Sequence, residues 1–191
     1  MRVIAGKYRG RLLRPPKGAD MRITLDNVKG ALFNILGASV EGVALLDIFA
    51  GSGSLGIEAL SRGAGDVTFV DSNPKCVKAI EENIASLVAG ELGGVKIMRL
   101  DAIRAPSVFY KRKKKFDIIL ADPPYYKGIG KKILQAIAGC DIVTAGGLVV
   151  VEHYKKDVLP ERVDSLNCTR VQAYGDTVLS FYRASQNSFS P

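Results

Sequence analysis

Two short motifs, each at the end of an apolar segment, carry residues that suit different parts of one reaction. Residues 47–56 read DIFAGSGSLG, and glycines at this density let a backbone lie against a bound ligand. Residues 121–125 read ADPPY, in which a carboxylate and an aromatic ring flank two rigid prolines. The first motif is typical of a nucleotide-like cofactor site, and the second suits the amino group of a nucleobase. We expect both motifs to line one cleft, and the pair predicts methyl transfer to a nucleobase.

The glycine motif satisfies the pattern G-x-G-x-x-G at Gly51, Gly53 and Gly56, which dinucleotide-binding folds also use. Asp71 lies about twenty residues further on, where a ribose-binding carboxylate belongs. Asp47 argues against a dinucleotide, because its carboxylate would repel a pyrophosphate but could hold the ammonium group of a methionine moiety. We therefore expect S-adenosyl-L-methionine as the cofactor. An NAD-dependent dehydrogenase stays open as an alternative that depends on the glycine pattern alone.

The predicted cofactor-binding residues have distinct physical roles. The glycines allow backbone conformations closed to other residues, and the amides that open the following helix can face the cofactor's carboxylate. Asp71 can accept hydrogen bonds from the ribose hydroxyls, while Asp101 and the Ala102 amide can read the adenine edge. The full predicted set is Asp47, Phe49, Ala50, Gly51, Ser52, Gly53, Asp71, Ser72, Asp101, Ala102 and Asp122.

The second motif has the groups that activate an exocyclic amino nitrogen. Such a nitrogen is a poor nucleophile because its lone pair is delocalised into the ring, and acceptors on its two N–H bonds favour the pyramidal, reactive geometry. The Asp122 carboxylate can be one acceptor and the Pro123 carbonyl the other, since prolines fix φ and add no competing donor. Tyr125 offers a face on which an extruded base can stack. The predicted catalytic residues are Asp122, Pro123, Pro124 and Tyr125.

Positive charge is concentrated in two segments of a chain whose net charge is +8. Residues 1–22 hold seven basic side chains against Asp20 alone, and residues 111–115 read KRKKK, which leaves the remainder mildly acidic. Two concentrated basic segments favour a nucleic-acid partner over solvated loops. The predicted RNA-binding residues are Lys7, Arg9, Arg11, Arg14, Arg22, Lys111, Arg112 and Lys113.

Apolar segments alternate with amphipathic ones, which indicates an α/β fold with a parallel sheet covered on both faces. Predicted strands at 43–46, 67–70, 95–100, 116–120 and 148–151 each end beside a carboxylate, namely Asp47, Asp71, Asp101, Asp122 and Glu152. The carboxyl ends of such strands form the ligand crevice, so we expect these acids to lie along one edge. Helical periodicity predicts three helices. The first contains residues 28–36, the second begins at Pro74, and the third contains residues 133–137.

Both ends of the chain differ from this pattern. For residues 1–22 we expect a basic N-terminal β-hairpin that stands off the main sheet. We expect residues 23–183 to form the main domain. Residues 168–174 and 177–182 predict a second hairpin, and 184–191 a disordered polar tail.

Several classes of protein are disfavoured. No window has the roughly 18 to 20 consecutive apolar residues of a membrane helix, and the N-terminus lacks a signal peptide's apolar core, so we expect a cytoplasmic protein without a membrane partner. Three scattered cysteines and one histidine, His153, predict neither disulfides nor a metal site. We interpret His153 as a polar residue at a strand exit, and we expect a monomer.

With both motifs considered, the chain resembles the bacterial S-adenosylmethionine-dependent 16S rRNA guanine-N2 methyltransferases. The resemblance covers nearly the whole length, through residues 2–11, 31–36, 47–62 and 122–125. It implies a Rossmann-like class I methyltransferase fold with a seven-stranded, mostly parallel sheet. It also implies action on one guanine of 16S rRNA, within an assembled small ribosomal subunit, with the N-terminal hairpin engaging RNA.

The chain departs from this family at two places. Residues 22–27 read RITLDN where the family usually has RPTTDR, and Tyr125 stands where phenylalanine is common. The sequence DPPY is also typical of adenine-N6 methyltransferases acting on DNA, although 191 residues leave no room for the separate target-recognition domain of such enzymes. An adenine-N6 methyltransferase on DNA or RNA therefore stays open, as does a non-catalytic RNA-binding module.

Overall fold

The computed structural model of the protein describes residues 1–18, 26–87, 94–125 and 128–185. The chain forms two compact units, Met1–Asp101 and Ala102–Pro191.

The first unit is built on three parallel strands, in the order β3-β2-β1. The strands are β1 (Ala44–Ile48), β2 (Asp66–Asp71) and β3 (Val95–Arg99), so the three strands predicted here are confirmed with small shifts at their ends. The four residues 67–70 of the middle strand are all buried. Burial of consecutive residues, rather than alternate ones, is expected for a parallel strand covered on both faces.

Among the described residues of this unit, the α-helices are α1 (Asp26–Leu36), α2 (Ser54–Ser61) and α3 (Pro74–Leu87). Helix α3 begins at Pro74, as predicted, because proline at the first position costs no hydrogen bond and its φ already suits a helix. Helix α2 lies so close to β2 that Gly56 faces the Phe69 ring with no room for a side chain. The third glycine of the sequence motif is therefore explained by packing.

The N-terminal segment, residues 1–14, is fastened to helix α2. We expected a β-hairpin standing off the sheet, but its two arms pair at a single antiparallel bridge between Arg2 and Leu12. Val3 and Leu13 are buried, at 1% and 4% exposure. The Tyr8 amide donates to the Ser61 hydroxyl over 2.9 Å, at the end of α2. The segment is thus part of the first unit's packing.

A buried carboxylate provides much of this attachment. Glu58 of α2 has 0% exposure, and its two oxygens accept the amide hydrogens of Ile4 and Ala5 over 2.7 and 3.0 Å. The charge is balanced by Arg62 at 2.8 Å and by Lys29 at 4.0 Å. A buried carboxylate is tolerated only when it is paired with a cation and hydrogen-bonded. Here the amides of the N-terminal segment provide the hydrogen bonds, and Arg62 and Lys29 provide the positive charge.

The described residues of the second unit form five strands, in the order β4-β5-β8-β7-β6. Strands β4 and β5 are parallel, whereas the pairs β5-β8, β8-β7 and β7-β6 are antiparallel. Their bounds are β4 Phe116–Ala121, β5 Val143–Tyr154, β6 Arg162–Val163, β7 Leu166–Tyr174 and β8 Thr177–Ala184. The predicted C-terminal hairpin is confirmed as β7 and β8. Helices α4 (Ala105–Lys111) and α5 (Ile129–Ala138) complete the unit.

Some expectations differ from the structure or lie beyond it. The described residues contain eight strands rather than seven, because a tight turn with Asp164 at φ 48° lets two residues, β6, pair with the start of β7. Arg22 lies outside the described residues, as do 186–191 of the predicted tail, while Ala184 ends β8. The domain boundaries at 22 and 183 stay predictions. None of the described helices is long and apolar enough to span a membrane.

Replacing Gly56 with alanine tests the close approach of α2 to β2. The added methyl group would overlap the Phe69 ring, so we expect a loss of about 1–3 kcal/mol in the free energy of unfolding, measured by urea denaturation. Gly30→Ala is a matched control in α1, where the new methyl would lie 3.6 Å from Ile4 in ordinary contact. The control should be neutral or stabilised by up to ~1 kcal/mol. Equal stability of the Gly56→Ala protein and the wild type would contradict this packing.

Candidate active site

The loop after β1 is shaped by backbone conformations that few residues adopt. Phe49 has φ 63°, and Gly53, at the N-terminus of α2, has φ 79°. Side chains rarely tolerate such φ values, and a phenylalanine held there marks a loop whose conformation is imposed by its surroundings. The Ala50 amide donates to the Val70 carbonyl over 3.1 Å, and the Gly53 amide donates to the Ala50 carbonyl over 2.7 Å. The loop is therefore a tight turn held against the end of β2.

Asp71, at the end of β2, ties the glycine turn in place. One carboxylate oxygen accepts the Gly51 amide hydrogen over 2.9 Å, and the other accepts that of Asn73 over 2.8 Å. Cys76, on the first turn of α3, also interacts with this carboxylate. Burial and the nearby Asp71 charge and hydrogen bond raise the pKa of the Cys76 thiol to about 11, so it stays a neutral donor. Asp71 is positioned by groups on both sides.

Asp47 lies in β1 with 1% exposure, and one of its oxygens accepts the Gly56 amide hydrogen over 2.9 Å. Gly56 is in the first turn of α2, where amides have no partner within the helix. A carboxylate thus already occupies the helix N-terminus, the place where dinucleotide-binding folds hold a pyrophosphate. This geometry disfavours a dinucleotide in the loop.

Among the remaining predicted cofactor residues of the first unit, Ser72 follows β2 and Asp101 follows β3, while Ser52 lies in the glycine loop. The Leu100 amide donates to the Asp71 carbonyl over 3.1 Å, which sets Asp101 beside the end of β2. Ser72 and Asp101 are exposed, and Ser52 is buried. The structure therefore brings Asp47, Asp71 and Asp101 to one end of this sheet, as the sequence predicts for the carboxyl ends of parallel strands.

The second unit holds Ala102, which is buried, and the proline motif, which directly follows β4. Asp122 is half-buried, Pro123 is buried and Pro124 is exposed. The Tyr125 hydroxyl donates over 3.1 Å to the Thr177 hydroxyl and lies 3.3 Å from a Glu152 carboxylate oxygen. A phenylalanine at this position could form neither contact, so the hydroxyl explains how this chain holds its ring.

His153 differs from our interpretation of it as a residue at a strand exit. Strand β5 continues to Tyr154, so His153 lies inside the strand with 6% exposure. One ring nitrogen is 2.8 Å from the Ser180 hydroxyl of β8, and the other is 3.1 Å from the Tyr154 carbonyl. Burial lowers the pKa of this imidazole below its ordinary value, and the hydrogen bond to Tyr154 opposes the shift only in part. The shift favours the neutral ring, which links β5 to β8 through Ser180.

The predicted RNA-binding side chains within the described residues are exposed. Lys7, Arg9, Arg11 and Arg14 are on the N-terminal segment, and Lys111, Arg112 and Lys113 follow one another at the end of α4. Arg22 lies outside the described residues. Within that part of the chain, no group of three histidine, cysteine or acidic side chains has the geometry to hold a metal ion. The expectation of no metal stays a prediction.

Three polar residues near the glycine loop were not identified from the sequence. Lys29, Glu58 and Asn83 have 0%, 0% and 1% exposure and bind the N-terminal segment or the loop. Each sits at a helix position that faces inward, and a polar side chain at an inward position was the signal that could have revealed them.

Sequence comparisons relate the chain to known proteins over nearly its full length. The family model described as "Conserved hypothetical protein 95" matches residues 1–183. YlbH of Bacillus subtilis is 39% identical over 96% of this chain and 98% of its own. The Escherichia coli protein named "Ribosomal RNA small subunit methyltransferase D" is 29% identical over 96% of this chain and 89% of its own.

Solved structures agree with these matches. The Escherichia coli protein yhhF superposes with a TM-score of 0.81 at 28% identity, covering 98% of this chain and 99% of that one. The Thermus thermophilus 16S rRNA N2 G1207 methyltransferase RsmC, solved with AdoMet and guanosine, superposes with a TM-score of 0.66 at 19% identity, over 88% of this chain and 45% of that one. The second match concerns the fold alone. The expected Rossmann-like methyltransferase fold is confirmed.

The buried imidazole predicts a pH dependence of stability. Because the pKa of His153 is lowered in the folded state, the unfolded chain binds the proton first as the pH falls through about 6.5. Folding stability contributed by this site is therefore full above that pH and is lost below it. Compared with His153→Gln, the wild type should lose more unfolding free energy between pH 8 and pH 5 in urea denaturation. Parallel curves for the two proteins would show that His153 is not held neutral.

Proposed function

The chain belongs to the family described as conserved hypothetical protein 95, and on that basis we propose that it is an S-adenosylmethionine-dependent rRNA methyltransferase. Its target is the exocyclic N2 amino group of one guanine in the 16S rRNA of the small ribosomal subunit. The relatives named ribosomal RNA small subunit methyltransferase D, from Escherichia coli and from Haemophilus influenzae at 32% identity, support the rRNA substrate.

One observation carries the choice of cofactor: the buried Asp47 carboxylate accepts the Gly56 amide at the N-terminus of α2. A dinucleotide needs these amides for its pyrophosphate, and a carboxylate there would repel it. S-adenosylmethionine has no phosphate and carries a positive ammonium group, so the same carboxylate favours it. The donor set of the loop therefore fits S-adenosylmethionine and conflicts with NAD.

Residues of the loop and of the strand ends would hold this cofactor. Asp47 would attract its ammonium group, and the backbone of the turn that contains Gly51 and Gly53 would lie beside its amino-acid chain. Asp71 would use its remaining acceptor capacity for the ribose hydroxyls, since its two oxygens already accept the Gly51 and Asn73 amides and the Cys76 thiol. Asp101 and the Ala102 amide read the adenine. When bound, S-adenosylmethionine supplies an electrophilic methyl group on a sulfonium sulfur.

Asp122 and the Pro123 carbonyl act on the target amino group. The two acceptors would take its two N–H bonds and orient the nitrogen lone pair toward the methyl donor, which provides alignment and electrostatic stabilisation. No strong base is needed, because the nitrogen loses its proton, to Asp122 or to water, only after it has gained the methyl group. Methyl transfer requires this nitrogen and the cofactor's methyl group to meet in line, and that requirement is part of the proposal. Pro124 keeps the turn rigid.

Tyr125 provides a stacking surface for the extruded guanine. Base stacking on an aromatic ring contributes on the order of 1–3 kcal/mol per base. The hydroxyl contacts with Thr177 and Glu152 restrict the ring, so less freedom is lost when the base binds. Ring orientation is thereby set before the substrate arrives.

The exposed basic side chains supply the sequence-independent part of RNA binding. Each phosphate that they neutralise releases counterions, which makes binding strong and dependent on salt. A 16S rRNA target within an assembled particle presents phosphates at fixed positions, which suits a basic segment packed on the body of the protein. We propose that the protein works as a monomer in the cytoplasm, where ribosomal subunits are found.

Asp122→Ala tests the proposed chemistry. We expect methyl transfer to small subunits from a strain that lacks this protein to fall by at least about 10²-fold, because an acceptor that acts in the transition state is lost. Binding of S-adenosylhomocysteine, measured by calorimetry, should stay within about threefold of the wild type, since most cofactor contacts remain.

The matched control is Asp164→Asn, a change to an exposed carboxylate in the β6–β7 turn whose positive φ asparagine also tolerates. The control should keep full activity. An Asp122→Ala enzyme with wild-type activity would rule out the proposed amino-group mechanism. If the wild type bound NAD and did not bind S-adenosylhomocysteine, the proposed cofactor would be wrong.

Replacement of Arg9 and Arg11 by glutamine tests the RNA contact. Both side chains are exposed, so we expect the fold to be unchanged and RNA binding to weaken. The plot of log K against log salt concentration should become shallower, by the contribution of up to about two phosphate contacts. Filter binding over a series of salt concentrations would measure this slope. Lys156 and Arg170, two exposed residues of the second unit, make a control with the same loss of charge. An equal change of slope in both double variants would contradict a specific role for the N-terminal segment.

A further inference from the structure

The side chain of Asn83 joins the N-terminal segment to the glycine loop. It projects from α3 with 1% exposure and makes three hydrogen bonds. Its oxygen accepts the Arg14 amide hydrogen over 2.8 Å, and its nitrogen donates to the Arg14 carbonyl over 3.0 Å and to the Ser52 carbonyl over 2.9 Å. An asparagine amide has two donor hydrogens, and both are used here on different segments.

A second buried side chain makes the same kind of connection at the other end of the segment. The Lys29 ammonium, at 0% exposure, donates to the Arg2 carbonyl over 2.7 Å and to the Ser54 hydroxyl over 2.9 Å. Arg2 and Arg14 are thus tied to Ser54 and Ser52, which flank Gly53 on either side. The two ends of the basic segment are attached to the two sides of the glycine at the turn.

We propose that Asn83 is a positioning residue that couples the basic N-terminal segment to the cofactor loop, so that cofactor binding and RNA binding favour one another. The inference rests on the proposed function, which names the two ligands. The attachment itself is a feature of the fold.

The coupling follows from sharing one amide group. Asp71 holds the loop at Gly51, whereas the Ser52 carbonyl is bonded to Asn83. A cofactor that contacts the loop restrains the remaining motion of the Ser52 carbonyl, and through it the plane of the Asn83 amide, which then holds Arg14 more often in its bound position. An ordered segment presents Arg9 and Arg11 to RNA without a further loss of freedom. Because coupling between two binding sites is reciprocal, RNA that orders the segment tightens cofactor binding by the same factor.

Hydrogen exchange measures this coupling in the absence of RNA. The amides of Val3, Gly10 and Leu13 donate to the carbonyls of Arg11, Val3 and Met1, all within the segment, so their exchange reports its opening. In the wild type, saturating S-adenosylhomocysteine should slow exchange at these amides on the order of tenfold, as expected for moderate coupling. It should also tighten binding to a 16S rRNA transcript by a similar factor.

Asn83→Leu removes all three hydrogen bonds, and Asn83→Asp retains the acceptor for the Arg14 amide but loses both donors. In both variants we expect S-adenosylhomocysteine to bind, yet to change exchange at the three amides by less than about twofold. Asn34→Leu, at an exposed position of α1, is the matched control and should behave like the wild type. Thermal unfolding identifies variants that fold.

The outcomes separate the coupling from the proposed function. If the wild type binds S-adenosylhomocysteine and exchange at the three amides does not change, the coupling is wrong while the proposed function stands. If S-adenosylhomocysteine slows exchange at these amides equally in the wild type and in a folded Asn83 variant, the inference is also wrong, because the coupling would not depend on Asn83. If the wild type binds no S-adenosylhomocysteine, the proposed function fails and the inference fails with it. If neither Asn83 variant folds, the wild-type experiment alone can still overturn the coupling.

Discussion

The hydrogen bonds that the Asp71 carboxylate accepts from Gly51 and Asn73 are the constraint on which the site depends. They join the turn after β1 to the start of α3 and hold the loop in a conformation in which even Phe49 has a positive φ. A loop fixed in this way presents carboxylates at a defined end of the strands. Without this tie, the cofactor would have to order the whole turn on binding, at a greater cost in affinity.

The same loop anchors the N-terminal segment, so that two features of different sequence character form one structure. Glu58, Lys29 and Asn83 are buried polar groups, and each is satisfied by backbone groups of residues 2–14 or by the loop. Buried polar groups of this kind cost free energy unless every partner is present, which makes the arrangement specific. A basic segment held by such contacts can present charge to RNA in one orientation, which a flexible arm cannot.

The sequence predicts the strands and most helices well, because apolar runs that end at carboxylates leave few alternatives to a parallel sheet. It does not predict the far end of β5, where Glu152 and His153 lie inside the strand, since β8 supplies the pairing and a hydroxyl partner for the imidazole. Nor does it identify the partners of Asn83. The residue lies on the buried face of α3, but its partners are backbone groups far away in the sequence, which helical periodicity does not indicate. The residue at position 125 was identified, but its anchoring by Thr177 depends on the β5–β8 register.

We propose that the protein methylates the N2 amino group of one guanine in small-subunit rRNA. Mass mapping of 16S rRNA from a strain that lacks the protein tests it most directly, with the wild-type gene and the Asp122→Ala gene returned in parallel. The account predicts that one N2-methylguanine is lost, that every other modification remains, and that only the wild-type gene restores it. An unchanged modification pattern, or the loss of an N6-methyladenine instead, would contradict the account.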